Sequence, residues 1–178
     1  DLVFLGYGID APHSHYSDLK GMDLKDKVVV IMRRVPLQGD DDGPFAAPHG
    51  NISQHAALRT KVSNAFRAGA KAIIFANDPY SNRNNAAQEL KAARNKVVTA
   101  AVAFDSTDSG QEKKHAEARR RLAQAVKSLK RIQQQHKQGI PDPLMSFGYG
   151  RSGNSRKIPI VHVTHKVINR LLAAGLKT

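Results

Sequence analysis

The sequence predicts an α/β fold of the α+β kind, and three observations lead there. Short β-branched runs ("KVVVIMRR", "AKAIIFAND", "KIPIVHVT") stand between polar, turn-rich segments. Segments of helical period separate some of these runs. The inferred order, strand, strand, helix, strand, strand, long helix, strand, helix, mixes the two element types along the whole chain. At 178 residues the chain is the length of one domain, 1–178, large enough to bury a core.

"LVFLGYGI" reads as an opening strand that ends in a glycine turn. "APHSHYSDLKGMDLKD" is a polar loop, and "KVVVIMRR" a buried central strand. "VPLQGDDDGPFAAPHGN" carries three prolines and three glycines and cannot stay regular for long. From Ile52 a helical period is expected, capped by Asn51 or Ser53, with Leu58, Val62, Ala65 and Phe66 sharing one face and Gly69 ending it. "AKAIIFAND" is a strand stopped by Asn77-Asp78-Pro79, and "NKVVTAAVAFD" reads as another.

Residues 109–138 differ in kind. No Gly or Pro lies between Gly110 and Gly139, and Ala118, Leu122, Ala125, Val126, Leu129 and Ile132 form one narrow apolar stripe. The expectation is a helix of about seven turns, charged on its other faces, that lies along the domain or projects from it. "KIPIVHVT" is a closing strand, and "HKVINRLLAAGLKT" a short helix on Val167, Ile168, Leu171 and Leu172.

Net charge is +13, and residues 112–137 hold nine Lys/Arg against two Glu, a surplus of +7. Arg119, Arg120, Arg121, Lys127, Lys130 and Arg131 are therefore candidate partner-binding residues. The plainer reading is a solvated helix, and the lack of aromatics in the segment argues against stacking on single-stranded nucleic acid. No cysteine is present, which removes disulfides, thiolate metal sites and Cys nucleophiles. No apolar run approaches the roughly 20 residues of a membrane span. The opening "DLVFLGYGID" has neither an initiator Met nor a basic leader, so the chain reads as cut from a longer protein or processed.

Several short patterns could carry chemistry, and none is complete. "FGYGRSG" (147–153) has the G-x-G-x-x-G spacing, but a Pro-containing strand follows it where a phosphate-binding helix should start. Gly6-Tyr7-Gly8 fails in the same way. His13-Ser14-His15 offers two imidazoles with no further ligand specified. His162 and His165 are expected to diverge from a strand end, one packed and one exposed. Asp40-Asp41-Asp42 resembles the front of a calcium loop, yet Pro44 follows and no Glu closes it. No G-x-S-x-G elbow is present. The expectation is no catalytic, cofactor or metal residue in this chain.

Three stretches together resemble a protease-associated (PA) domain as carried by M28-type zinc aminopeptidases. The first is Gly6-Tyr7-Gly8-Ile9, then a turn from Asp23 to Lys27 and a strand running to Pro36. The second is a helix with Lys61 and Ala65, then Gly69-Ala70 and an apolar strand ending in Asp78-Pro79; the third is "IPIVHVTHKVINRLL". The resemblance covers about residues 1–105 and 141–178, which makes the basic helix at about 109–138 an insertion. It implies a β-barrel-like sandwich flanked by helices, with no catalytic role. The implied function is that of a lid, substrate-selection or protein-interaction module. Its partners would be the peptidase domain of the same parent chain and a peptide or protein substrate. Zinc would then be expected in that peptidase domain, and the location would be extracytoplasmic. The alternative is a free-standing basic module that binds nucleic acid or an acidic partner through the long helix.

Overall fold

A computed structural model describes residues 1–38, 40, 42–45, 53–108, 110–145 and 158–175. Its elements, in chain order, are β1 (Leu2–Phe4), β2 (Asp10–Ala11), β3 (Tyr16–Ser17), β4 (Val28–Met32), α1 (Leu58–Arg67), β5 (Ala72–Ala76), α2 (Pro79–Asp105), α3 (Glu112–Gln138), β6 (Ile160–Val163) and α4 (His165–Gly175). The mixed α+β class expected from the sequence is what the structure has. The chain divides into two compact units, one of residues 1–78 and 142–178, the other of residues 79–141.

The first unit is built on a four-stranded sheet in the order β1-β4-β5-β6, with every neighbouring pair parallel. Val3, Val29, Ile73 and Ile160 lie in register across it. Side chains alternate between faces along a strand, so each face recruits its own helix. Val29, Ile31, Ile73 and Phe75 pack with Ala65 of α1 and with Leu5, Leu24 and Ala70, while Leu58 and Val62 of α1 border the same cluster. Val30 and Ala76, on the opposite face, pack with Ile168 of α4. Strands covered on both faces read as near-continuous apolar runs, which is why "VVVIM" and "AIIFA" were recognisable. The β2–β3 hairpin is a separate ribbon over Ile9, Ala11, Val35 and Phe45, where Tyr16 meets the Phe45 ring edge-on at 5.0 Å.

Helix α1 starts later than its sequence period suggests. Ser53 accepts a hydrogen bond from the His55 backbone N–H, but that closes a separate 3-10 turn over Gln54–Ala56. Asn51 and Ile52 lie outside the described residues. Gly69 follows the helix at φ 88°, as expected of a C-terminal stop. Phe66 departs from the expected face and is exposed, whereas Lys61 is wholly buried.

The second unit corrects the sequence reading. "NKVVTAAVAFD" (95–105) is the C-terminal part of the 27-residue helix α2, and it is not a strand. The stripe on α3 packs against α2 in an antiparallel hairpin. Ala86, Leu90, Ala93, Val97, Ala100 and Phe104 recur at alternating steps of four and three on α2. His115, Ala118, Leu122, Ala125, Leu129, Ile132 and His136 do the same on α3. This is the seam of a two-stranded coiled coil. Contacts near both ends set the direction: the Phe104 and His115 rings meet at 4.6 Å, tilted by 43°, and His136 Nε2 lies 3.3 Å from Glu89 Oε2. Val97, Val98 and Thr99 favour strands locally, but long-range packing overrides so weak a preference.

Candidate functional site

In an open parallel sheet the carboxyl ends of the strands are where ligands usually sit. Here the chain leaves β1 into Gly6-Tyr7-Gly8, β4 into Arg33, β5 into Asn77-Asp78 and β6 into Thr164-His165. The polar side chains at these exits are hydrogen-bonded around two neighbouring residues, Asn77 and Asp78. Arg33 donates to Asn77 Oδ1 at 2.8 Å. The Asn77 amide donates to Asp142 Oδ1 at 2.7 Å and to the Pro143 carbonyl at 2.9 Å. Asp142 Oδ2 accepts from the His165 backbone N–H at 2.5 Å and lies 3.1 Å from His165 Nδ1. His165 Nε2 reaches the Asn77 carbonyl at 2.7 Å. Asp78 accepts from the Tyr7 hydroxyl at 3.0 Å and from the Gln38 amide at 2.8 Å.

A second set holds the first strand's exit. Gly6 and Gly8 take φ of 55° and 62°, and a Cβ on Gly6 would stand 2.8 Å from an Asp18 oxygen. Asp18 accepts from the N–H groups of Tyr7 and Ile9 and from the Tyr16 hydroxyl at 2.8 Å. From α1, the Lys61 ammonium donates to the Tyr7 carbonyl and lies 5.5 Å from the centre of the Tyr7 ring, while Asn64 donates to the Gly8 carbonyl at 3.2 Å. Both glycines of the turn are therefore required by backbone shape and by close packing, with no phosphate needed to explain them.

The electrostatics follow from burial. Lys61 is wholly buried, and the loss of hydration pulls its pKa down to about 8 against the pull of Asp18. Burial, then Asp78, raises the Tyr7 hydroxyl well above its ordinary value, and burial together with the Asp18 hydrogen bond raises Tyr16 to about 12. Desolvation also lowers Arg33, with Arg34 adding to the effect. His162 is lowered first by burial and then by Arg33, so its ring is neutral at neutral pH. Its Nδ1 accepts from the Met145 N–H at 2.7 Å, which leaves the proton on the buried Nε2.

Chemically this arrangement braces. Asn77 uses its side-chain oxygen, its amide and its backbone carbonyl to join the ends of β4 and β5 to the 142–143 segment and the start of α4. Tyr7, with its proton held toward Asp78, is a poor nucleophile or base. Among the described residues no group of three or more His, Asp or Glu is placed to hold a metal ion.

The sequence candidates fall as follows. "FGYGRSG" lies outside the described residues. His13 and His15 are exposed beside a 3-10 turn over Pro12–Ser14. Asp40 accepts from the Asp42 N–H at 3.0 Å and so closes its own turn, while Asp41 is outside the described residues. His162 and His165 require a correction: both are half-buried and each feels Asp142. The strand ends at Val163 and α4 starts at His165, so strand alternation does not separate the two rings. Arg119, Arg120, Arg121, Lys127, Lys130 and Arg131 are all exposed on α3, but successive helix positions turn by about 100°, so they fan around it. Arg121 is tied to Glu117 at 2.6 Å.

Sequence reasoning missed Asp18, Asn64 and Asp142 as organisers. Lys61 carried a readable signal, since it falls between Leu58 and Ala65 inside the apolar stripe of α1. Among the described residues no helix is long and apolar enough to cross a membrane. Neither a curated protein nor a solved structure matches the chain. A family model does match: the PA domain, over residues 1–112.

Proposed function

The chain belongs to the PA domain family, and from that premise we propose that it is the non-catalytic lid or substrate-selection module of a larger zinc peptidase of the M28 type. PA domains are typically accessory modules associated with proteases. The observation that carries the reading is the match itself, which runs from β1 through β5 and α2 and ends at the start of α3. The polar network supports it, because its groups are engaged in holding strand ends. On this reading the zinc ligands and the general base belong to the peptidase domain of the same parent chain. The module's contribution is to shape which peptides reach that site, in an extracytoplasmic setting.

The test has two arms. The isolated chain, given zinc and a panel of aminoacyl substrates, is expected to show no turnover above buffer. The parent enzyme lacking this region is expected to keep hydrolysing its smallest substrate while its preference among longer peptides changes. Turnover by the isolated chain that disappears with one point substitution would overturn the proposal. So would unchanged selectivity in the truncated parent.

A further inference from the structure

The hairpin of α2 and α3 carries charge that its own fold does not use. Residues 79–141 hold thirteen Lys/Arg against five Asp/Glu, a surplus of +8 within the chain's +13. In a coiled coil the residues flanking the seam normally pair with opposite charges across it. Along one flank here, Lys96 of α2 stands with Lys114 and Arg121 of α3 beside a shared groove of about 540 Å³. Among the described residues lining it, the one carboxylate is Glu117, already bound to Arg121 at 2.6 Å. Apart from Asn95, the rest of the lining is made of small groups, Ala100, Ala103 and Ala118, with Thr99 and Thr107.

We propose that this groove between α2 and α3 docks an acidic amphipathic helix of a partner protein. A third helix laid along two others is a recurring mode of recognition, with apolar side chains at helical spacing entering the groove. The small side chains of the lining let such a helix approach closely, and its cations match carboxylates on the helix's flanks. From Lys96 to Thr107 the groove runs about 16 Å at 1.5 Å per residue, room for three turns of a partner. Charge disfavours a second copy of this chain, because +8 would face +8. Nucleic acid fits less well, since phosphates gain nothing from alanines and, among the described residues, no aromatic lines the groove for bases to stack on. The inference does not depend on the peptidase reading.

The full chain would be titrated with three labelled probes. The first is a peptide of about 18 residues with Leu at helical spacing and Glu elsewhere, and the second is its scramble, of equal charge. The third is a DNA duplex of about 20 base pairs. The patterned peptide is expected to bind at low micromolar concentration, at least about tenfold tighter than the scramble or the duplex. Lys96→Glu with Lys114→Glu should weaken it by about tenfold or more with helix content by circular dichroism unchanged. If that pair loses helix, Lys96→Gln with Lys114→Gln serves, with a smaller loss of about threefold expected. Equal binding of patterned and scrambled peptides would overturn the proposal. So would duplex binding as tight as the patterned peptide, folded variants with unchanged affinity, or no peptide binding at about 100 μM.

Discussion

The two units of this chain bury apolar surface in different ways. In the sheet unit Val29, Val30, Ile31 and Phe75 are completely inaccessible, because a helix covers each face of the strands that carry them. In the hairpin, Ala86, Ala93 and Ile132 are the described apolar residues that reach burial, and the rest of the seam is half-buried. Two helices alone enclose a line of contact, whereas a sheet between two helices encloses two layers. A residue in the layers loses all its neighbours' packing when it is cut back. A residue in the line already has solvent at its side.

Substitution should expose that contrast most strongly at Phe75. Phe75→Ala leaves a cavity at the centre of a closed cluster and should cost about 3–5 kcal/mol. Ile132→Ala, at the best-buried seam position of α3, should cost about 2 kcal/mol, the low end for its type, because neighbours beside solvent can close over the gap. Urea unfolding of both variants, followed site by site with hydrogen exchange, measures the difference. Equal costs would mean that the seam is as tightly enclosed as the sheet core.

The same contrast decided what was readable in advance. Strands covered on both faces are apolar at every position, so "VVVIM" and "AIIFA" declared themselves without knowledge of their partners. A coiled-coil seam becomes visible only when two helices are considered together. The stripe from Ala118 to Ile132 was seen, but its partner was hidden: alanines at 86, 93 and 100 look neutral, and Val97-Val98-Thr99 looks like a strand. The strand-end network was less legible still. Asn77 and Asp142 are 65 positions apart, and no local pattern announces that one amide will meet the other's carboxylate. Lys61 falls at helical spacing between Leu58 and Ala65, a signal of burial that the sequence carried but that the expected apolar face left out.

Lys61 gives the sheet unit a pH dependence of its own. Its folded pKa of about 8 lies below the ordinary 10.5, so between those values the unfolded chain binds more protons than the native one. Stability should therefore rise with pH across that window, by up to about 3 kcal/mol once the penalty for burying the charged ammonium is fully relieved. Tyr16 acts in the opposite sense. Its pKa is raised to about 12, so the unfolded chain ionises first above 10 and stability falls there. The expected profile peaks near pH 10, and Lys61→Met should flatten its rising limb. Urea midpoints from about pH 7 to 11 test this, and a wild-type curve without that limb would sink the account of Lys61.

The smallest effect is expected on the exposed side of the hairpin. Replacing Arg119, Arg120 and Arg121 together with Ser removes three of the chain's 28 basic residues and the Glu117 ion pair. An exposed pair four residues apart on a helix contributes only about 0.3–0.5 kcal/mol. Serine is a somewhat poorer helix former than arginine, by a few tenths of a kcal/mol per site. Against this, the change relieves repulsion among cations crowded on one helix. These terms are small and partly cancel, so stability should move by less than about 1 kcal/mol. Binding reads the same triple variant differently. Arg121 alone of the three lines the groove, so affinity for the acidic helical peptide should drop by the share of one cation, a few-fold at most. A far larger loss of affinity would shift the interaction from the groove to the fan of arginines around α3. A large loss of stability would show that the outer face of the hairpin does structural work which its exposed, widely spread side chains give no reason to expect.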